Sequence, residues 1–444
     1  MRDIFVALVV FGLLPKILSR PDIGILLWSW LAYMNPHKLT WGFAHDFPFA
    51  QLVALATLGG LMVWKEPKRI PLNPVTVLLI IFTLWMFFTT LFAYNQEGAW
   101  VKWNTVWKVQ LMTFVMMMIM TTKWRIQANI WVIGLSLGFY GIKGGLFTVL
   151  TGGGYRVWGP AGTFIGGNNE IGLALIMVIP LLRYLQLIAE KKWQQNAMGI
   201  SILLNMLAIV GTQSRGALVG MAAMLFFLVL KSRKKAVLIL VLVVSVPALI
   251  AFMPQSWHDR MHTIKTYEQD ASAMGRINAW YTAFHVANDR VTGGGFKCLH
   301  MPLIFKLYAP NPDDLHDAHS HYFEVLGEHG YIGLVLFLVL GLSVWKLATH
   351  VIKQAKNSEE FRWITDLCSM IQVSLVGYAV SGLFLGLATF DLYYNLIAMV
   401  VACKIYLERN PQTIMQAAQT PTLERRPASF VRPVINPKYP VPSR

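Results

Sequence analysis

The stretch Asp317–Gly333, DAHSHYFEVLGEHGYIG, places several titratable side chains directly in front of a long apolar run. His316, His319 and His321 have the spacing H-x-x-H-x-H, and His329 follows. Zinc accepts imidazole and carboxylate ligands, but this spacing is not a known metal signature. A neutral imidazole with a pKa near ~6.5 can instead take a proton from a hydroxyl group. The stretch therefore favours a histidine that acts as a general base.

Three arginines form a second group of candidate functional residues. Arg215 in GTQSRGALVG joins two apolar runs, Arg276 in MGRINAWYTAFHVAND lies on a predicted amphipathic helix, and Arg156 is surrounded by glycines. A charge at membrane depth usually faces a cavity or a partner, and guanidinium groups suit phosphate. The alternatives are a side chain that extends to the lipid headgroups and a solvated surface arginine.

Two asparagines and a glycine-rich turn complete the candidates. Asn168 and Asn169 open a predicted helix, so one of them is an N-cap or the pair binds a polar ligand at the helix N-terminus. The turn RVTGGGFK, residues 290–297, has the backbone freedom to approach a ligand closely. Asp313 and Asp314 suit a divalent cation, but adjacent loop aspartates are usually solvated, so we predict no metal site.

The composition indicates which class of protein positions these residues. The chain has 444 residues, of which 55% are hydrophobic and 14% charged, with a mean hydropathy of +0.50. Several apolar runs approach the ~20 residues that cross a bilayer as a helix, and none alternates as barrel strands would. We predict an all-α polytopic membrane protein. The formal charge of +16 then reflects basic cytoplasmic loops rather than a nucleic-acid partner.

The apolar runs predict about twelve transmembrane helices. They cover residues 4–34, 48–64, 74–93, 104–122, 128–150, 168–188, 197–213, 215–231, 236–253, 331–350, 365–387 and 390–407. The first run contains Pro15, Lys16, Arg20 and Pro21, so it is one broken span or a tight pair; we expect it to count once. Both chain ends are then cytoplasmic.

The basic loops fix the expected orientation. All five short basic segments fall on one side, which the positive-inside rule makes cytoplasmic; they are residues 65–69, 122–125, 190–193, 231–235 and 353–362. The resulting division is N-terminal transmembrane helices in 1–253, a periplasmic loop in 254–330, C-terminal transmembrane helices in 331–407 and a disordered cytoplasmic tail in 408–444. Arg156, Arg215, Arg276 and His319 all fall on the outer side.

Several of these residues match a family pattern. His319-Ser320, nine residues, Gly330, two residues and Gly333 resemble the signature of O-antigen ligases within the superfamily of O-antigen ligases and polymerases. Arg215 in SRG is similar to the family's arginine at the outer end of a span, and Arg276 resembles the arginine that opens its large periplasmic loop. Arg156 to Asn169 is similar to a less specific family feature. The resemblance covers roughly residues 150–400.

The resemblance implies a fold of about twelve helices with a large helical periplasmic loop, like that of GT-C glycosyltransferases. It implies a metal-independent, inverting transfer in the bacterial inner membrane, without a cofactor. The donor is a glycan on undecaprenyl diphosphate and the acceptor is a sugar of the lipid A–core. Arg215 and Arg276, with Arg156 in support, would neutralise the diphosphate, and His319 would deprotonate the acceptor hydroxyl.

Three other functions stay open from the sequence. A polymerase would use a second lipid-linked glycan as acceptor, and a protein O-glycosylation ligase would use Ser or Thr of an exported protein. Residues 1–150 look most like a subgroup described as putative O-glycosylation ligases. A transporter of the lipid-linked glycan would carry charges in the middle of several spans, and the predicted spans are almost bare of them.

Overall fold

The computed structural model describes residues 1–232, 235–255, 257–258 and 271–411. The secondary structure of this part is helical, without β-strands. Its helices are α1 (Arg2–Ser19), α2 (Pro21–Met34), α3 (Phe49–Val63), α4 (Pro74–Leu91), α5 (Gln96–Ile119), α6 (Lys123–Leu150), α7 (Asn168–Ile188), α8 (Lys192–Gly211), α9 (Arg215–Lys231), α10 (Lys235–Phe252), α11 (Ala271–Asp289), α12 (Pro302–Tyr308), α13 (His321–Ala355), α14 (Arg362–Ser381) and α15 (Asp391–Glu408). The predicted disordered tail lies almost entirely outside the described residues.

Several helices have the length and composition of membrane spans. Within the described residues, five are long and apolar enough to cross a bilayer, namely α4, α6, α7, α13 and α14. Among the other apolar runs, α3 is shorter, with 15 residues. The protein is therefore a helical protein with the character of a multi-pass membrane protein.

The first apolar run is divided, which corrects our expectation that it counts once. α1 ends at Ser19 and α2 begins at Pro21, because a residue before proline is disfavoured in helical geometry and proline suits a first helical position. Asp3 at the start of α1 accepts hydrogen bonds from the backbone N–H groups of Gly42 and Ala44, which follow α2. The two helices thus form an antiparallel pair, and the chain starts at the end of the bundle where α2 finishes.

One end of the bundle, which we call the basic end, gathers segments that were predicted to be cytoplasmic. Arg125 pairs with Glu66 and with Asp22 beside the α1–α2 turn. Lys123 lies 5.9 Å from the ring centroid of Trp363 at the start of α14. The loops before α4, α6 and α14 therefore share this end with the α1–α2 turn. We call the opposite end, which holds the loops before α3, α7, α9 and α15, the site end.

Close helix packing in the middle of the bundle depends on small and polar residues. Gly134, Gly138, Gly141 and Gly145 line the face of α6 that meets α7 and α8, and a Cβ on Gly145 would lie 2.2 Å from the carbonyl oxygen of Leu204. Such small residues let backbones approach where lipid offers no hydrophobic driving force.

The segment between α10 and the apolar part of α13 builds a small core of its own. Buried side chains of α11, α12 and the turns around them form this core; they are Ala279, Ala283, Cys298, Leu299, Phe305 and Ala318. Helix α13 begins at His321, ten residues before the predicted start of the run. Gly330, with φ 67° and ψ −172°, interrupts it at the predicted boundary between loop and span.

Candidate functional site

His319 occupies a strained backbone position between two fixed points. Its φ of 42° lies in the left-handed region, which a residue other than glycine adopts only when its surroundings enforce it. On one side, the carbonyl oxygen of Ala318 accepts a hydrogen bond from Trp280 Nε1 at 2.7 Å. On the other side, the N–H of His321 donates to the carbonyl oxygen of Gly382 at 2.8 Å.

Helix α11 is fastened to the segment that precedes His319. The amide of Asn278 donates to the carbonyl oxygens of Asn311 and Asp314 at 2.8 and 2.9 Å, and accepts from the N–H of Asn311 at 2.9 Å. Because Asn278 and Trp280 are both fixed in this way, the first turns of α11, with Arg276, are held beside His319.

Charged groups from three elements surround the His319 imidazole. Burial lowers the pKa of His319 below its ordinary value of 6.5; nearby Arg276 and His316 lower it as well, and Asp317 and Glu170 act in the opposite direction. The net effect leaves the ring neutral near pH 7 and able to accept a proton. The structure therefore brings together His319, Arg276 and the first turn of α7, which carries Glu170.

The neighbouring histidines have other surroundings. The buried ring of His321 packs on Tyr378 with 4.4 Å between centroids, and Nδ1 of buried His329 lies 2.7 Å from Thr89 Oγ1. His316 Nδ1 contacts Asp314 at 2.6 Å. In the described chain, no three His, Cys, Asp or Glu side chains lie close enough together to hold a metal ion.

Arg156 contacts the turn between α8 and α9 that leads to Arg215. Arg215 is the first residue of α9, whose N-terminus is capped by the Ser214 hydroxyl. Gln213 has a left-handed φ of 54°, and its Oε1 accepts a hydrogen bond from Arg156 Nε at 3.3 Å. The Arg156 side chain also lines a cavity of about 280 Å³ with Lys143 and other residues. Arg156 thus supports the turn that presents Arg215.

Asn168 has a structural contact rather than the predicted capping role. Gly167 is the N-cap residue of α7, and the Asn168 amide donates to the carbonyl oxygen of Thr212 at 3.0 Å. This bond fixes the Arg215 turn to the helix that brings Glu170 to His319. Asn169 is partly exposed, and the binding of a polar ligand by Asn168 and Asn169 stays a prediction.

The loop at residues 382–390 connects both parts of the site. A Cβ on Gly216 would lie 2.7 Å from Phe384 Cβ, and one on Gly386 would lie 3.8 Å from His319 Cα. Glu324 Oε2 accepts a hydrogen bond from the N–H of Ala388 at 3.3 Å. Sequence reasoning placed only a short turn near 388–390, because the residues before it are apolar.

Glu170 and the 382–390 loop are the site features that sequence reasoning missed. Glu170 stands directly after the candidates Asn168 and Asn169 in the first helical turn, but this position alone does not predict its approach to His319. Together these groups offer a neutral imidazole beside one guanidinium, with a second guanidinium at the start of α9. Such a set can accept a proton and bind an anion at the same end of the bundle.

Two parts of the chain match two protein families. Residues 200–338 match the family described as O-antigen ligase, and residues 1–190 match a family of unknown function, DUF5935. A search of curated proteins gives no match. The ligase match includes Arg215, Arg276 and His319, whereas Arg156, Asn168 and Asn169 lie in the part that matches DUF5935. Residues 200–338 therefore carry a domain of the O-antigen ligase family, and this match supports a place in the O-antigen ligase superfamily.

Proposed function

We propose that this protein is an inner-membrane glycosyltransferase that transfers a glycan from undecaprenyl diphosphate to a hydroxyl of the lipid A–core, on the periplasmic side. The observation that carries the proposal is the setting of His319. Its imidazole is partly buried beside Arg276, and the pKa of His319 lies below its ordinary value. The superfamily match supports the class of reaction. The identity of donor and acceptor is our proposal.

The proposed reaction is a single inverting displacement. A ring nitrogen of His319 takes the proton of the acceptor hydroxyl, and the oxygen attacks the anomeric carbon opposite the diphosphate. The bond from that carbon to the diphosphate oxygen breaks, and its electron pair leaves with the diphosphate. A general base of this kind contributes about 10²–10⁴-fold to the rate.

Arg276 and Arg215 oppose the negative charge that grows on the departing diphosphate. Fixed positive charges that meet developing charge lower the barrier without reorganising during the reaction. Arginine stays protonated even when partly buried, and its paired N–H groups match phosphate oxygens. The proposed transfer therefore uses guanidinium groups where other enzymes use a divalent cation. Arg156 takes part through Gln213, which positions the Arg215 turn.

Reconstitution with defined lipids tests this function. We expect protein in liposomes to transfer glycan from an undecaprenyl-diphosphate donor to lipid A–core with a chelator present. His319→Ala should reduce the rate about 10²–10⁴-fold. His285→Ala is the matched control, because this exposed histidine of α11 contacts the carbonyl oxygen of Tyr308 instead.

Two results would contradict the proposal. Transfer by His319→Ala at the wild-type rate would remove the general base. Glycan that appears only on serine or threonine of an exported protein, or only on a second lipid-linked glycan, would assign a different acceptor. Arg215→Lys and Arg276→Lys should each slow transfer, because an ammonium group lacks the paired donors.

A further inference from the structure

A second polar cavity lies at the basic end, away from the candidate site. It has a volume of about 600 Å³ and lies where α7 and α9 end and α14 begins. Its polar lining includes Arg183, Lys231, Arg362 and Thr365, and its apolar lining includes Leu187 and Trp363. A volume of this size holds a small organic ligand.

Positive charge predominates in this cavity. Three cationic side chains from three helices line it, against one carboxylate among the described lining residues, Asp366, whose charge acts on Arg183. Arg362 also pairs with Glu359 at 3.3 Å. The Arg183 guanidinium donates to Gln186 and Lys231 Nζ donates to Gln372 Oε1 at 2.7 Å. These amide partners carry no charge, so among the described residues the two carboxylates, Asp366 and Glu359, offset three cations and leave a net positive charge that attracts an anion.

The cavity also contains a polar atom without a partner. Thr365 Oγ1 is buried and makes no hydrogen bond within the described part of the chain. A buried hydroxyl in this state costs free energy. An oxygen-rich ligand in the cavity would accept its hydrogen.

The position of the apolar lining distinguishes an amphiphile from a soluble anion. Leu187 is 43% exposed although it lies at the end of α7, one of the five candidate membrane spans. We expect its exposed face to meet lipid, so that the cavity would open beside acyl chains. Basic pockets between transmembrane helices on the cytoplasmic side bind the headgroups of anionic lipids.

We propose that this cavity binds the headgroup of an anionic phospholipid from the leaflet at the basic end. Arg183, Lys231 and Arg362 contact its phosphate, Thr365 donates to a headgroup oxygen, and an acyl chain lies along Leu187. The lipid thereby ties the end of α7 to the start of α14. Helix α7 carries Asn168 and Glu170 at its other end, so the occupied cavity stabilises a helix on which the candidate site depends. This inference is independent of the transferred glycan.

Lipid binding by the full-length purified protein tests the proposal. After delipidation in detergent, phosphatidylglycerol should raise the melting temperature by several degrees and appear as a bound species in native mass spectrometry. Phosphatidylcholine and glycerol 3-phosphate should do neither. The double variant Arg183→Gln/Arg362→Gln should lose both effects.

Two further variants make the result specific. Lys68→Gln/Lys192→Gln removes the same charge from exposed residues of the basic end outside the cavity, and it should keep both effects. Thr365→Val, which removes one hydrogen bond and keeps the volume, should raise the half-saturating lipid concentration about two- to tenfold. Equal stabilisation by phosphatidylcholine or glycerol 3-phosphate, or unchanged binding by the double variant and by Thr365→Val, would overturn the proposal.

Discussion

The chemistry proposed for His319 depends on which charged groups approach its ring. Arg276 comes from α11 and Glu170 from α7, and their charges act on the imidazole in opposite directions. This arrangement provides a test of the general-base role, because removing each charge should shift the pKa of His319 in a different direction. Activity follows those shifts only if His319 takes part in the reaction.

We predict opposite shifts in the acid limb of the pH–rate profile. A lowered pKa means that neutral His319, the active form, persists below pH 6.5, so wild-type activity should fall only as the pH drops below that value. Arg276→Gln removes a nearby positive charge, favours the imidazolium and should move the limb to higher pH. Glu170→Gln should move it to lower pH. Measurements of kcat/KM against pH check both, and shifts of the same sign would refute the assignment.

The residue types of the site could be predicted from the sequence, but not all of its contacts. His319, Arg215 and Arg276 stand in recognisable local patterns. Glu170 belongs to the site only because α7 brings it from about 150 residues away in sequence, and no local pattern encodes that approach. The Asn168 contact with Thr212 is likewise a contact between helix ends, so N-cap preference alone gave the wrong role.

At the scale of elements, the glycines of the family-like motif have a backbone explanation. Gly330 adopts φ 67° and ψ −172°, a conformation that is essentially restricted to glycine. The resulting kink opens carbonyl groups of α13, and the N–H groups of Gly294 and Gly295 donate to the carbonyl oxygens of Gly327 and Glu328 at 2.8 and 2.9 Å. The RVTGGGFK turn therefore approaches the backbone of α13, and its close approach to a ligand stays a prediction.

We predict that Gly330→Ala destabilises the protein by about 1–3 kcal/mol or more. A Cβ there would lie 2.2 Å from the carbonyl oxygen of Val291, so the backbone would have to shift in addition to accepting a strained φ. Gly341→Ala on the same helix is the control, because its Cβ would meet only Tyr393 Oη at 3.4 Å. Thermal unfolding in detergent measures both; equal melting temperatures would show that the kink is not required.

Helix positions were predictable because a membrane span needs a continuous apolar segment. The predicted run 168–188 coincides with α7, and 215–231 coincides with α9. The run 4–34 holds two helices separated by the single residue Arg20. The sequence shows this interruption, but it does not decide between one broken span and a tight pair. The 382–390 loop was not predicted, because its leucines and phenylalanines continue the apolar pattern of α14.

At the scale of the whole molecule, dividing the first run changes where the chain starts. Arg20 and Asp22 lie with Arg125 and Glu66 at the basic end, and Asp3 lies with Gly42 at the site end. Helix α15 ends at the basic end, where Tyr406 packs on Trp363 with 5.3 Å between ring centroids. The two ends of the described chain therefore lie at opposite ends of the bundle.

We predict that an uncharged tag before Met1 is accessible from the periplasm, whereas a tag after Arg444 is reached only after the inner membrane is permeabilised. The physical reason is the charge distribution, because the basic loops favour the cytoplasm and the start of α1 lies at the other end.

Trp41→Cys and Lys68→Cys give matched internal reporters, one exposed at each end, and the native cysteines are buried. A membrane-impermeant thiol reagent should label Trp41→Cys in intact spheroplasts and spare Lys68→Cys. The reverse labelling pattern would place His319 in the cytoplasm and contradict a periplasmic reaction. Tags that are both accessible from the same side would show that the run 4–34 crosses the membrane only once.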